Sequence, residues 1–323
     1  MIFPSFLKPQ DLIGITAPSA GIDTEDHAAF DLSLSHMHAY GYRTRETASV
    51  RAGGMVSAPA AVRGAELNAL LCDPDVRMVW CAAGGDFLLD MLPFVDWQAA
   101  VRNPKWVQGY SDPTSLLYTL TTVYDVATIY GNNAGGFDSE QLTPDAAYAL
   151  SLVGGNVATQ YSFDTFTHRY TDDGTKPVFW ETPHGAVNVQ GRLLGGCLDC
   201  LSDILGTPYD GTAAFVERYK DDGILWYFDI FALPAEAVYR TLWRMRENGW
   251  FRHARGVMVG RVCFPSSQME LSYEDMITQA LPDLPLVMEA DVGHVPPRMT
   301  IINGAMATLQ ATDGHGQLHM TLR

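Results

Sequence analysis

The sequence predicts an α/β fold organised around a parallel β-sheet, and two observations lead to this. Short, apolar, β-prone runs alternate with longer segments whose apolar residues recur at helical spacing. Several of these runs end in loops of small residues, which is where ligands approach a parallel sheet, at the carboxyl ends of its strands. Strands that alternate with helices imply a sheet with helices covering both faces.

The N-terminal half contributes most of this alternation. Predicted strands cover 12–16, 44–47, 76–81, 106–108 and 127–130, and predicted helices cover 26–41, 59–72 and 113–124. The third strand runs into Gly84-Gly85. A glycine pair at this point allows backbone N–H groups to approach a ligand closely, and a plain loop is the alternative.

The fourth strand ends at a corner, Gly109-Tyr110-Ser111-Asp112, and a helix-like segment begins at Pro113. Proline is favoured at the first helical position. A serine at a sharp strand-to-helix corner is exposed beside free N–H groups, and this geometry suits a nucleophile and its oxyanion. The alternative is that Ser111 or Asp112 only caps the helix.

The composition excludes several classes of protein. The chain has 323 residues, is 47% hydrophobic and carries a formal charge of −16, so nucleic acids and anionic membranes are not expected partners. Five cysteines in a chain of this length, without a leader or a membrane-span pattern, predict reduced thiols and a cytoplasmic protein. The Cys197–Cys200 pair has no matching second pair or histidine cluster, so neither a metal site nor a cofactor is expected.

The second half repeats the alternation after a connecting segment. The sequence divides into an N-terminal α/β domain at 1–135, a connection at 136–190 and a C-terminal domain at 191–323. Helix is expected at 144–152 and strands around 176–192. The C-terminal domain is expected to contain a helix ending near 205, a strand at 224–230, a helix at 234–247, a strand at 256–263, a helix at 272–281, a strand at 286–289 and a hairpin at 306–312 and 317–322.

Several motifs, in order along almost the whole chain, resemble those of the LD-carboxypeptidases. These serine peptidases include muramoyl-tetrapeptide carboxypeptidases and a branch that confers immunity to microcin C-type antibiotics. The motifs are APS at 17–19, VRGAELNALLCDPDV at 62–76, the Gly84-Gly85 loop, NPKWVQGYSDPTSLL at 103–117, LLGGCLDCLSDILGTPY at 193–209, the unit at 224–249, GVMVGRV at 256–262, GH at 293–294 and NGA at 303–305.

The resemblance implies a fold and a set of roles. The fold is an N-terminal flavodoxin-like parallel-sheet domain followed by a C-terminal α/β domain with a small barrel-like sheet, usually in a homodimer. Ser111 matches the nucleophile, and His294 matches the general base. The backbone N–H groups of Asp112 and Gly85 match the oxyanion hole, with Gly84 in the same loop. The implied substrate is a small peptide or muropeptide that ends in a D-amino acid.

The chain departs from the family pattern at the third catalytic residue. Phe228 occupies the position of the family's glutamate, and Asp229 follows it. Because adjacent strand residues face opposite ways, Asp229 is expected to replace that glutamate only if the strand bulges or slips by one residue. The other acids considered are Glu289, Asp291, Asp203 and Glu181. A second departure is Cys197, where the family usually has asparagine.

The sequence leaves three functions open. The first is a serine carboxypeptidase, with Arg298 or Arg192 as the cation for the terminal carboxylate. The second is an amidase of the immunity type, which aromatic stacking by Trp180 would favour. The third is a weakened homologue that binds peptides or cell-wall fragments without cleaving them, and Phe228 motivates it.

Overall fold

The computed structural model describes residues 1–171 and 173–323 and divides into two compact units. The first contains Met1–Val157 and Thr300–Ile302, and the second contains Ala158–Met299 and Asn303–Arg323. The three-part division at 135 and 190 stays a prediction. Within the described residues, no helix has the length and apolar character needed to cross a membrane.

The first unit is built on a parallel sheet with the strand order of flavodoxin. Among the described residues its six strands run in the order β13-β5-β4-β3-β1-β2, so the first five strands follow the order 2-1-3-4-5. The strands are β1 Leu12–Thr16, β2 Arg43–Glu46, β3 Val76–Cys81, β4 Trp106–Gly109, β5 Thr128–Tyr130 and β13 Ile301–Asn303. The edge strand β13 comes from far along the chain, after the second unit has begun.

Helices of the first unit follow its strands. They are α1 His27–Ala39, α2 Ala60–Cys72, α3 Trp97–Arg102, α4 Thr114–Thr122 and α5 Pro144–Leu152. Helix α4 is buried along its whole length although it is rich in threonine. The Thr119 and Thr122 hydroxyls donate to carbonyls one turn back, at 2.7 and 2.8 Å, so the buried hydroxyls are paired.

The second unit contains a mixed sheet. Among the described residues its seven strands run in the order β12-β11-β10-β9-β14-β15-β6; β9 to β12 are parallel, and β14 and β15 form an antiparallel hairpin. The elements are β6 Gln160–Tyr161, β7 Thr165–Thr167, β8 Thr175–Pro177, β9 Val187–Cys197, α6 Leu198–Ile204, α7 Thr212–Arg218, β10 Ile224–Asp229, α8 Ala235–Glu247, β11 Ala254–Gly260, α9 Tyr273–Ala280, β12 Leu286–Ala290, β14 Met306–Thr312 and β15 His315–Thr321.

The central strand β9 is longer than the sequence predicts. Residues 191–197, which the sequence assigns to the start of the second half, continue this strand. Their glycines allow close contact with β10, since a Cβ at Gly195 would lie 1.8 Å from the carbonyl oxygen of Tyr227. The α/β class, with a flavodoxin-like parallel sheet and a second sheet-containing unit, is confirmed.

Candidate active site

In the first unit, the chain between β4 and α4 makes the predicted corner. Ser111 is partly exposed and has φ of +67°, in the left-handed region that residues other than glycine rarely adopt. The Thr114 N–H donates to the Ser111 carbonyl at 2.8 Å and closes the turn. Strain of this kind in a strand-to-helix turn is characteristic of a nucleophile held out of a sheet.

Neighbouring groups fix this corner. The Asn133 side chain accepts the Tyr110 N–H at 3.1 Å and donates to the Tyr110 carbonyl at 3.3 Å. A Cβ at Gly109 would lie 2.8 Å from the Cβ of Pro113, so the strand must end on a glycine. These contacts keep Ser111 in its left-handed conformation.

The Gly84-Gly85 loop lies against the corner. A Cβ at Gly84 would be 3.1 Å from Ser111 Oγ, and one at Gly85, where φ is +139°, would be 2.2 Å from Ser19 Oγ. The two glycines thus let the loop after β3 approach both serines, which the sequence could place only in loops that follow parallel strands. The oxyanion-hole role of Gly85 and Asp112 stays a prediction.

The Asp112 carboxylate ties loops together and does not cap the helix. It accepts the Ser19 hydroxyl at 2.5 Å and the Leu88 N–H at 2.9 Å. Burial raises the pKa of Asp112 above its ordinary value, against the opposing effect of these two hydrogen bonds. Helix α4 begins after Pro113 without a side-chain cap hydrogen bond, so the Asp112 carboxylate serves these loops and not the end of the helix.

Arg63 also holds these loops together, a role that no sequence pattern indicated. Its side chain is fully buried in helix α2, and its guanidinium donates to the carbonyls of Pro18 at 2.5 Å, Phe87 at 2.9 Å and Ala58 at 2.7 Å. It also pairs with Asp90 at 2.5 Å. One buried cation thus joins the loop after β1 to the loop after β3.

In the second unit, His294 is paired with Asp229. His294 Nδ1 lies 2.7 Å from Asp229 Oδ2, and the His294 backbone N–H donates to Asp229 Oδ1 at 3.2 Å. Both residues are buried, with relative exposures of 3% and 0%. The carboxylate lies beside Nδ1, the position from which an acid holds the imidazole of a catalytic histidine, although the angle at Nδ1 is not that of a good N–H···O hydrogen bond.

The expectation that Asp229 needs a bulge or slip is wrong. The pairing of β10 with β9 is continuous from Ile224 to Asp229. Phe228 faces the other side of the sheet, where its ring stacks on Trp226 with centroids 5.8 Å apart. The regular alternation of the strand therefore directs Asp229 to the histidine and Phe228 into the core.

The backbone around this pair is tightly constrained. Gly293 has φ of +98°, and a Cβ there would lie 1.9 Å from Asp229 Oδ1. The ring of Phe231 packs against His294 with centroids 4.6 Å apart. The chain therefore needs glycine immediately before the histidine.

Asp199, on helix α6, anchors the loop that follows β10, a role that the motif at 193–209 did not indicate. Its carboxylate accepts the backbone N–H groups of Phe231, Ala232 and Leu233 at 2.9, 2.9 and 3.0 Å. Three such bonds to one carboxylate hold the loop that carries Phe231.

Asp291, one of the acids considered for His294, has other partners. It pairs with Arg261 at 2.7 Å and accepts the Trp180 indole N–H at 2.9 Å and the Phe163 N–H at 3.0 Å. Burial raises its pKa. Trp180 is fully buried in this network, so the structure does not make it a stacking platform. Of the remaining acids, Asp203 lies in α6, Glu289 in β12, and Glu181 bridges to Met288.

The two candidate cations differ in position. Arg192 binds Asp222 at 2.5 Å and stacks over Tyr219. It is paired with Ile224, five residues before Asp229 on β10, which places it roughly 16 Å along the strand from the acid. Arg298 lies in the histidine loop, and its guanidinium donates to the His294 carbonyl at 3.5 Å. Arg298 is therefore the cation near the dyad.

Cys197 joins the Asp229–His294 pair. Its sulfur, a carboxylate oxygen of Asp229 and an imidazole nitrogen of His294 all lie within 4.8 Å of one another. The neighbouring Cys200 thiol and burial raise the pKa of Cys197 well above its ordinary value, which disfavours a nucleophilic thiolate. Sequence spacing could not reveal this set of potential metal ligands, because the three residues come from distant segments.

Comparison with known proteins assigns the family. Residues 13–131 match the LD-carboxypeptidase N-terminal domain, and residues 190–309 match the LD-carboxypeptidase C-terminal domain. The chain belongs to the LD-carboxypeptidase family. The predicted family resemblance is thereby confirmed, and the two matched domains contain Ser111 and the Asp229–His294 pair respectively.

Relatives of this LD-carboxypeptidase family member include two curated bacterial proteins. A putative carboxypeptidase of Streptomyces coelicolor is 29% identical over 258 residues, covering 78% of this chain and 74% of the relative. A probable murein peptide carboxypeptidase of Bacillus subtilis is 24% identical over 322 residues, covering 96% and 92%. The fold is shared with an MccF-like protein from Bacillus anthracis, at a TM-score of 0.83 with 19% identity over 99% and 100% of the two chains.

Proposed function

We propose that the protein is a serine LD-carboxypeptidase that hydrolyses the amide bond to a terminal D-amino acid in a peptidoglycan-derived peptide. The observation that carries the proposal is the left-handed conformation of Ser111 at the corner between β4 and α4. The murein peptide carboxypeptidase named among its relatives supports the substrate class.

Each residue has a defined role in this proposal. Ser111 Oγ attacks the scissile carbonyl carbon while His294 accepts its proton, and His294 then gives that proton to the departing amine. Water hydrolyses the resulting ester and regenerates the serine. Asp229 holds the imidazole and stabilises its charged form. The N–H groups of Gly85 and Asp112 stabilise the oxyanion, a contribution worth about 10²–10³-fold per donor.

Arg298 is the proposed neighbour of the substrate's terminal carboxylate. Arg192, on β9, is paired with Asp222 and stacked on Tyr219 near the start of β10, far from Asp229. Arg298 instead lies in the histidine loop. A guanidinium binds a carboxylate in a planar, bidentate way that lysine does not reproduce. A cytoplasmic location and a homodimer stay predictions.

The other two functions have less support. Stacking by Trp180 favoured an immunity-type amidase, but that ring is buried and bonded to Asp291. Phe228 motivated a homologue that only binds, but Asp229 supplies an acid to His294 from the neighbouring position. Both observations leave the carboxypeptidase as the function with the best support.

The test compares Ser111→Ala with Ser115→Ala. Mass spectrometry follows release of terminal D-alanine from an L,D-tetrapeptide muropeptide. Ser115 is a buried hydroxyl in the first turn of α4, so its variant controls for loss of a serine near the corner. We expect release by the parent and by Ser115→Ala, and a loss of about 10³-fold or more in Ser111→Ala. Release that persists in Ser111→Ala would refute the serine mechanism, and no release by the parent would refute the substrate class.

A further inference from the structure

The Cys197–Asp229–His294 cluster has a composition that proton transfer does not require. A serine hydrolase uses a histidine and an acid, yet here a thiol lies within 4.8 Å of both. The three side chains are buried, and they offer sulfur, oxygen and nitrogen donors to a single point. Thiolate, imidazole and carboxylate are the ligand types that bind zinc in proteins.

The fold holds these donors in place. Cys197 and Asp229 are directly paired residues at the ends of the parallel strands β9 and β10, so their side chains point to the same face. The third donor, His294, is fixed by its contact with Asp229 and by the constrained glycine before it. A set of ligands supported by two strands and an anchored loop requires little reorganisation on binding.

The distances suit a small divalent ion. Zinc binds sulfur at about 2.3 Å and nitrogen or oxygen at about 2.0–2.2 Å, so tetrahedral ligand atoms lie roughly 3.2–3.7 Å apart. The contact of 2.7 Å between Asp229 and His294 must open by roughly half an ångström, and the Cys197 sulfur, which lies within 4.8 Å of both donors, must sit about 3.2–3.7 Å from each in the occupied site. Three protein ligands leave a fourth position for water.

Charge and softness select the ion. A thiolate and a carboxylate carry two negative charges, which a divalent cation neutralises when the imidazole is neutral, and this balance permits burial. Magnesium and calcium prefer sites made only of oxygen, whereas sulfur and imidazole favour zinc and its analogues cobalt and cadmium.

We propose that Cys197, Asp229 and His294 form a site for Zn²⁺ that, when occupied, stops the histidine from acting as a base. Binding exchanges the Cys197 thiol proton for a sulfur–metal bond and releases that proton to solvent. The inhibitory consequence rests on the proposed carboxypeptidase function, whereas the binding itself does not.

Cobalt is the probe for binding, because a thiolate–Co²⁺ bond gives a charge-transfer band and tetrahedral Co²⁺ gives strong visible bands. The full chain, stripped of metal and kept reduced with a phosphine, is titrated with Co²⁺ and then with Zn²⁺. We expect one equivalent to produce both sets of bands and Zn²⁺ to abolish them. Absence of a thiolate band in the parent would overturn the proposal.

Two variants assign the ligands, and a third is the control. Cys197→Ser should lose the thiolate band, and Asp229→Asn should weaken Co²⁺ binding about tenfold or more, with circular dichroism confirming that both are folded. Cys72→Ser removes the exposed thiol, where an adventitious ion would bind, and should keep the band. A band that survives in Cys197→Ser, or that disappears in Cys72→Ser, would overturn the assignment.

Activity gives a separate readout. Zn²⁺ at a concentration that saturates the spectroscopic site should lower the rate of D-alanine release by the parent at least tenfold. The same concentration should lower the rate of Cys197→Ser much less. A parent that binds Co²⁺ but cleaves no muropeptide would contradict the proposed function and leave the metal site supported. Unchanged activity at saturating Zn²⁺ would refute the inhibitory role.

Discussion

Gly293→Ala tests whether the Asp229–His294 pair is the working dyad. The substitution adds one methyl group, and its carbon would lie 1.9 Å from Asp229 Oδ1 and 2.1 Å from the carboxyl carbon. The Cβ therefore cannot be accommodated unless the carboxylate or the histidine loop moves. In either case the contact of 2.7 Å to Nδ1 is broken, although neither member of the pair has been changed.

The size of the effect follows from two terms. A side chain at φ of +98° is strained by about 1–3 kcal/mol, which lowers stability but need not affect chemistry. Loss of the acid that holds the imidazole tautomer lowers turnover by about 10⁴-fold in a Ser-His-Asp enzyme. We expect kcat/KM to fall about 10³–10⁴-fold, which corresponds to roughly 4–5.5 kcal/mol of transition-state stabilisation.

Gly314→Ala is the matched control. Gly314 has φ of +96°, and the nearest atom to its added Cβ is a carbon of Phe179 at 3.6 Å, so the variant carries the strain without the collision. Thermal unfolding and D-alanine release are measured for both variants. If Gly293→Ala retains kcat/KM within about tenfold of Gly314→Ala, a difference below about 1.4 kcal/mol, the proposed role of the dyad is wrong.

Three further predictions concern stability, measured by urea unfolding. Burial raises the pKa of Asp112 in the folded protein above 3.8, so the folded protein binds more protons than the unfolded chain and loses stability as the pH rises from about 4 through the raised pKa. Asp112→Asn should lack this decline, and parallel stability-versus-pH profiles of parent and variant would contradict the prediction. Arg63→Met leaves three loop carbonyls without their donor and should lower the free energy of unfolding by at least about 3 kcal/mol, and Arg63→Lys should not restore it. A decrease below about 1 kcal/mol would show that the guanidinium does not hold the loops. Asp199→Ala removes the acceptor of three N–H groups and should lower the free energy of unfolding by more than about 3 kcal/mol. Asp203 is exposed on the same helix, so Asp203→Ala should change it by about 0.5 kcal/mol or less, and equal effects of the two variants would refute the anchoring role.

Strong local patterns made much of the fold predictable. The strands at 12–16 and 76–81 and the helix at 144–152 agree with the structure residue for residue. Helix Trp97–Arg102 was missed because six residues are too few to show helical periodicity. The extension of β9 was missed because its glycines weaken the strand pattern, and they are present for close packing against β10.

The site was predictable where one segment contains its own signal. Ser111 has such a signal, a strand followed by a small-residue corner and a proline. Phe228 and Asp229 face opposite ways, as strand alternation predicts, but the face of the sheet that His294 approaches is determined by the tertiary structure. Arg63 and Asp199 are charged residues within helices, and only the folded chain shows which loops they hold.

The late strand β13 affects how the protein is made on the ribosome. Strand β5 ends at Tyr130, but β13, its outer neighbour in the folded sheet, begins at Ile301. During synthesis that edge is without its neighbour until the later segment emerges, which takes roughly ten to thirty seconds at elongation rates of about 5–20 residues per second. An unpaired strand edge is a template for pairing with other chains, so nascent chains of this protein are most exposed to aggregation in that interval.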